Sequence, residues 1–290
     1  MRAIIRKYRE YRRKLYILAN LSSSSPFISG DTFRGISYHK FDEISELNPL
    51  KIQAGNIVFL KGDFIEFFME NIHPKITNRY KLIVHNSDAE FKITNIDDKI
   101  IRVYAQNVSV VHKKITPIPI GLENLHHQRN GRIKLFEKYR SIKPKKSNKI
   151  FYAFNPGTNP KARLEAIEAL RKNKSAEEGD DWYEPEEYLE KLNSYKFVAS
   201  PEGNGIDCHR TWEAMYLGTI PILTKSVLSS YFEEIGLPIL LIDDWNKVVN
   251  LNEDYLEKFY EKSYFKFSSK YLWIESWEKL IHASEDPLGC

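Results

Sequence analysis

Cysteine is nearly absent from this chain: of 290 residues, only Cys208 and Cys290 carry a thiol. Two cysteines cannot form a disulfide framework, and neither stands in a metal-ligand spacing. Long apolar runs are missing too. None approaches the roughly 20 residues a membrane-crossing helix needs, and the N-terminal MRAIIRKYREYRRK lacks the apolar centre of a signal peptide. No strict Asp-x-Asp occurs, so the acidic pair that often holds a divalent ion at a strand end is not available. Strong charge of one sign is also lacking: 43 basic and 39 acidic residues leave a formal charge of +4. That balance, with the acidic stretch SAEEGDDWYEPEE, argues against a duplex-binding protein, which needs one sustained basic face.

What remains is ample for a folded protein. Hydrophobic residues make up 42% and aromatics 13%, enough for one large domain or two of ordinary size. The N-terminal run holds seven basic residues and one acidic one. It reads as a solvated basic helix end and also offers a peripheral contact to anionic membranes. Asn20-Leu-Ser and Asn107-Val-Ser match the glycosylation sequon but matter only in a secreted chain. The cytoplasm, or the cytoplasmic face of a membrane, is the expected location.

Five runs in the first half read as strands: LYILAN (15–20), NIVFLKG (56–62), YKLIVHNSD (80–88), KIIRVYAQN (99–107) and ITPIPIG (115–121). DFIEFFMEN, between the second and third, has helical spacing. The basic segment 126–149 reads as a connecting helix and linker. Beyond it KIFYAF, YKFVAS, TIPIL and PILLI alternate with helical patterns beginning PKARLEA, EPEEYLE, RTWEAMY and SVLSSYF. Strands alternating with helices imply βαβ units and parallel sheets. The expected architecture is α/β with two Rossmann-like domains facing across a cleft. Residues 1–140 form the first, with residues 264–290 packing back on it, and 141–263 form the second.

Residues 200–223, SPEGNGIDCHRTWEAMYLGTIPIL, concentrate three of the 13 glycines among many functional groups. The loop starts at a strand end, where open α/β sheets bind ligands, and finishes at a helix start, where unpaired N–H groups and the dipole favour an anion. Gly203 and Gly205 would let the main chain approach phosphate closely. Ser200, Glu202, Asn204, Asp207 and His209 supply polar groups. Arg210 offers a fork of charged donors for a diphosphate, and Glu213, one turn on, suits the vicinal hydroxyls of a ribose. An exposed i,i+3 ion pair is the bland alternative.

A second such loop is FNPGTNPKAR (154–163). Asn155, Thr158, Asn159 and Arg163 there are candidate phosphate or sugar contacts, against the simpler reading of an Asn-Pro-Gly turn beside a surface arginine. In the first half, His85 and Asp88 end a strand and are the candidate bases for an acceptor hydroxyl. Glu123 and Asp63 stand behind them, the one more simply a loop carboxylate and the other a helix cap. Asp243-Asp244 reads as a cap before Trp245.

The pattern FVASPEGNGIDCHRTWEAMYLGTIPIL resembles the signature of exostosin-like glycosyltransferases: a strand ending in a Pro/Gly-rich loop, then Arg, Glu-Ala and Gly-x-Ile-Pro. The resemblance is strong over about residues 195–245 and weaker over 80–124, and nothing is claimed for the first fifty. It implies a GT-B fold with the donor held mainly by the C-terminal domain, Arg210 serving the diphosphate and Glu213 the ribose. It further implies inverting transfer from a nucleoside-diphosphate sugar, UDP-linked, to a glycan acceptor. The family's animal members commonly carry a membrane anchor and stem that are lacking here. GT-B enzymes can stabilise the leaving diphosphate with a helix N-terminus and basic residues, so no metal or other cofactor is expected. Similar segments in fucosyltransferase-like families keep a GDP-sugar enzyme open as an alternative. A glycan- or nucleotide-binding protein without turnover is another.

Overall fold

The computed structural model describes residues 2–19, 23–180 and 182–283. Asn20, Cys290 and the end of the 264–290 segment lie outside them. Two compact units emerge, Met1–Gly131 with Trp273–Cys290, and Arg132–Leu272. The division falls in the basic segment where the sequence changes character. Each unit carries a five-stranded, all-parallel sheet among the described residues, and the chain is α/β with Rossmann-like units.

In the first unit, helices α1 (Arg2–Leu18) and α2 (Gly30–Ile36) precede β1 (His39–Phe41) and β2 (Ile57–Lys61). A short mixed helical passage containing α3 (Ile65–Phe67) leads to β3 (Tyr80–His85), β4 (Ile100–Ala105) and β5 (Ile115–Pro117). The strands lie side by side in chain order. With right-handed crossovers, that order sends every connection over one face. The other face is covered by α2 and by α10 (Ile274–Ala283). Phe33 of α2 meets Trp277 of α10 edge-on at 6.4 Å. Lys81 of β3 donates from Nζ to the carbonyls of Ile281 and His282 at 2.7 and 3.0 Å, a cation at a helix C-terminus.

The run LYILAN, expected as a strand, instead closes α1, and Leu18 is its last helical residue. Five apolar residues in a row fit either element; here helix continuity and a charged anchor decide. Arg13 is buried against Asp31 at 3.1 Å, Asp42 at 3.7 Å and Glu43 at 2.5 Å. Arg34 shares Asp42 at 2.7 Å, and His126 reaches Asp31 at 3.3 Å. The strand β1 and helix α2 have no counterpart in the sequence reading. Ser29 starts α2 with a capping box in which Thr32 takes the reciprocal role.

In the second unit, α4 (Ile133–Ser141) precedes β6 (Ser147–Tyr152), α5 (Pro160–Lys172), β7 (Ala176–Glu178), α6 (Pro185–Asn193) and β8 (Tyr195–Ala199). Then come α7 (His209–Tyr216), β9 (Ile220–Thr224), α8 (Val227–Glu234), β10 (Leu240–Ile242) and α9 (Glu253–Ser263). The strand order is β10-β9-β8-β6-β7. Alternate residues of the sheet, among them Ile150, Phe197, Ile220 and Leu240, face a core completed by α5, Trp245, Val248 and α9. The opposite face carries α6 and α7, where Phe151 stacks on Tyr195 at 5.0 Å. Strand β7 lies inside the acidic stretch and was not expected. As a short polar edge strand, it has no apolar periodicity to reveal it.

The buried charges of the first unit predict a pH response. Burial pushes Asp31 and Glu43 up, but His126 and Arg13 for Asp31, and Arg13 and Lys61 for Glu43, outweigh it and hold both carboxyls below their ordinary values. Depressed carboxylates contribute stability that is complete above the unfolded value, about 4, and is lost as pH falls through the folded one. The midpoint temperature should therefore drop in acid, and Asp31→Asn should flatten that drop. Arg13→Ala, leaving buried carboxylates short of a cation, should cost about 3–5 kcal/mol in denaturant titration.

Candidate functional site

The order of the second sheet places β6 between β7 and β8. The chain leaves β6 toward one edge and returns past it to β8, so the connections on either side of the β6–β8 pair lie on opposite faces. This is the topological switch point where doubly wound sheets open a crevice beyond their carboxyl ends. The two loops singled out in the sequence, 154–163 and 200–209, follow β6 and β8 and flank that point.

Arg163, on the first turns of α5, is buried and joins the loops. Its Nη1 donates to the Asn155 carbonyl at 2.8 Å and its Nε to the Glu202 carbonyl at 3.0 Å. Asn159 caps α5 by accepting from the Ala162 amide at 3.3 Å and donates to the Gly203 carbonyl at 3.0 Å. Arg163 is thus a strut of the site rather than the surface side chain of the simpler reading. Asn155 accepts from the Gly157 amide at 2.8 Å, closing its own turn. Thr158 is exposed beside Gly203.

Arg210 arrives from the other face of the sheet, on α7. Its Nη2 donates to the Ala153 carbonyl at 3.0 Å and its Nε to the Tyr188 hydroxyl at 3.2 Å. The Arg210 and Arg163 guanidiniums lie 5.4 and 5.6 Å from the centre of the Phe154 ring, at cation–π distance. Burial, and after it the like charge of Arg210, pushes Arg163 below the usual arginine value. Burial also opposes the Arg210 charge, but Tyr188, Cys208 and Glu213 outweigh it and hold its pKa up. Burial pushes the Tyr188 hydroxyl up to about 12, with Arg210 pulling the other way. Glu213 is buried on α7, one turn beyond Arg210.

Other residues of the 200–209 loop divide between support and exposure. Asp207 is buried and accepts from the Trp212 indole N–H, with oxygens at 3.1 and 2.9 Å. Ser200 and Thr211 share a hydroxyl–hydroxyl bond of 2.9 Å. Gly203 donates to the Gly205 carbonyl at 3.1 Å. Glu202, Gly205 and His209 are half-buried, and Asn204 is exposed at the tip. Cys208 directly precedes α7; burial raises its thiol pKa against the pull of Arg210 and Arg163, so it is held as a thiol.

A solvent-open pocket of about 300 Å³ adjoins the loop. Ser200, Glu202, Asp207, Thr224 and Ser226 give it polar walls, and Phe232 an apolar one. Tyr188, Phe154 and the Thr224–Ser226 wall were missed in the sequence. Applying the strand-end rule to TIPIL, as to YKFVAS, would have found the last of these.

In the first unit, a second pocket of about 280 Å³ lies beyond the ends of β2, β3 and β4, lined in part by Gly62, His85, Ser87 and Gln106. His85 is fully buried. Its Nε2 donates to the Pro119 carbonyl at 3.0 Å, and its Nδ1 accepts from the Asn86 amide at 2.7 Å. With both nitrogens engaged, the ring ties β3 to the segment after β5, which does not suit it to proton transfer. Asp88 is exposed three residues on. Asp63 accepts from Ser87 Oγ at 2.6 Å and pairs with Lys61 at 3.3 Å; it caps no helix. Glu123 accepts from the Asn130 amide at 2.7 Å. Asp244 does cap, accepting from the Asn246 amide at 2.9 Å, and Asp243 pairs with Lys225 at 2.7 Å. Among the described residues, no three His, Cys, Asp or Glu side chains group to hold a metal ion.

The second unit is therefore a doubly wound α/β domain with a paired-arginine loop cluster at its switch point. No protein-family model matches the chain, and no curated protein does. Among solved structures, the crystal structure of TarM aligns with it at a TM-score of 0.40 and 17% identity, over 78% of this chain and 54% of that one. The chain thus spans about half the length of that structure. A likeness at this level leaves the site to its own geometry.

That geometry predicts what a methyl group at Gly203 would do. A Cβ there would stand 2.9 Å from Arg163 Nη2 and 3.4 Å from Cys208 Sγ, and Arg163 is pinned by two carbonyls. Gly203→Ala should cost about 1–3 kcal/mol as overpacking. Gly35→Ala, in helix α2 with open space around it, should be neutral or stabilising by up to about 1 kcal/mol. Denaturant midpoints compare the two.

Proposed function

We propose that the protein is a glycosyltransferase of GT-B type whose second unit binds a nucleoside-diphosphate sugar. The observation that carries this reading is the convergence of Arg163 and Arg210 on Phe154 at the switch point, with Glu213 one turn beyond Arg210. The two cations repel one another, Arg163 tied to two backbone carbonyls and Arg210 to one carbonyl and the Tyr188 hydroxyl, and a bound anion relieves that repulsion. Arg210 spends only two of its five N–H donors on Ala153 and Tyr188, and a diphosphate suits the remainder. Glu213 supplies the carboxylate for the ribose hydroxyls. The resemblance of residues 195–245 to exostosin-like glycosyltransferases supports the same assignment.

In this reading the acceptor oxygen attacks the anomeric carbon, with inversion, as the bond to the diphosphate breaks. Its proton passes to a carboxylate, for which Asp88 is the candidate. The arginines and the N-terminus of α7 stabilise the departing charge, so a divalent ion is not required. UDP is the proposed nucleotide. A GDP-sugar remains the competing donor, because nothing in the paired arginines reads the base.

A nucleotide-sugar screen tests the reading. UDP-, GDP-, ADP- and CMP-sugars are compared by thermal shift and by released nucleotide. One nucleotide should stabilise the wild type selectively. Glu213→Ala should weaken that binding about tenfold or more, the worth of one to two charge-assisted bonds. If no nucleotide shifts the protein at millimolar concentration, the assignment fails. Asp88→Asn should keep nucleotide binding and lose turnover by about 10²–10⁴-fold. Turnover should persist in EDTA; loss restored by manganese would exclude the metal-free mechanism.

A further inference from the structure

We propose that α1 is a docking helix that seats this protein on an anionic lipid surface. Four large apolar side chains, Tyr8, Tyr11, Leu15 and Leu18, are between 44% and 73% exposed. Their spacing of three, four and three residues aligns them in one stripe, roughly 80° wide at 100° per residue. Exposed Lys7 and Lys14 run along one edge of the stripe and Arg12 along the other.

A surface helix ordinarily turns its apolar stripe to the core. Here the inward position belongs to Arg13, held by Asp31, Asp42 and Glu43. On neighbouring positions the Tyr16 hydroxyl accepts from Gln128, and Arg12 donates to the His126 carbonyl. These polar anchors fix the rotation of the helix. The stripe faces outward because charges hold the other side in.

Charge selects the occupant. The sequence of residues 2–14 holds seven basic residues and one acidic one; among the described side chains Arg13 is neutralised by the carboxylate cluster, while Lys7 and Lys14 are exposed. An anionic headgroup layer complements the remaining cations, and its acyl boundary takes the tyrosines and leucines, the arrangement of an interfacial amphipathic helix. A second copy of the helix would set like charges against one another. A nucleic acid would leave the apolar stripe unused. No helix among the described residues is long and apolar enough to cross a bilayer, so α1 lies in the interface plane.

Flotation of the full chain with vesicles tests this. Wild type should partition to vesicles containing about one-third phosphatidylglycerol, at least about tenfold better than to pure phosphatidylcholine, and lose that preference as salt rises. Leu15→Ser with Leu18→Ser should lower partitioning about tenfold with an unchanged midpoint temperature, because both positions are exposed. Lys7→Glu with Lys14→Glu should do the same through charge. Equal partitioning to both vesicles, or equal partitioning of wild type and both variants, overturns the proposal. So does a wild-type dimer in sedimentation that the leucine variant dissolves, since the stripe would then belong to a second copy.

Discussion

Strand order in the second sheet is the constraint on which the candidate site depends. Because β6 lies between β7 and β8, the helices after β6 and β8 must pack on opposite faces. Their N-termini then diverge over the carboxyl edge, and no single helix can fill the gap. What closes it here is side chains. Arg163 comes from α5 on one face and Arg210 from α7 on the other, and both end against Phe154. The first sheet, with its strands in simple chain order, has no such point. Its polar strand ends are instead knitted together by His85, Asn86 and Ser87.

Holding two guanidiniums together is electrostatically uphill, and the site offsets the cost with directed dipoles. Arg163 faces the carbonyls of Asn155 and Glu202, and Arg210 that of Ala153 and the Tyr188 hydroxyl. Such acceptors stabilise a cation without cancelling its charge, unlike the carboxylates that surround Arg13. The two arginine clusters in this chain therefore work in opposite senses. The one around Arg13 is neutralised and structural. The one around Phe154 is held chiefly by dipoles, with the buried Glu213 carboxylate one turn from Arg210 as its charged neighbour.

Much of this was legible in the sequence. All-apolar runs bounded by polar loops marked β2, β3, β4, β6, β8 and β9, because strands buried on both faces need continuous hydrophobicity. The same logic placed loops 154–163 and 200–209 at strand ends. It failed where burial is carried by something other than apolar side chains. The run 15–20 has strand-like composition, but its helix is set by Arg13 and a carboxylate cluster brought together from positions 31, 42 and 43. Strand β7 pairs through its backbone while its side chains are acidic. Tyr188 could not be assigned to the site because only the packing of α6 beside α7 on the sheet brings its hydroxyl to Arg210. His85, a polar residue at a strand end, looked reactive; its ring is occupied by the backbone of Pro119 and Asn86.

The first unit is not continuous in the chain. Its second sheet face is closed by α10, whose terminal carbonyls receive Lys81 from two hundred residues earlier. During vectorial synthesis, the whole of the second unit emerges before that lid does. Domains usually mature in the order they leave the ribosome, but here the earlier sheet must wait with one face only partly covered, by α2 alone, while the later one folds. The nascent chain's vulnerable surface therefore lies in the earlier-made unit, which stays unfinished until α10 is free to dock.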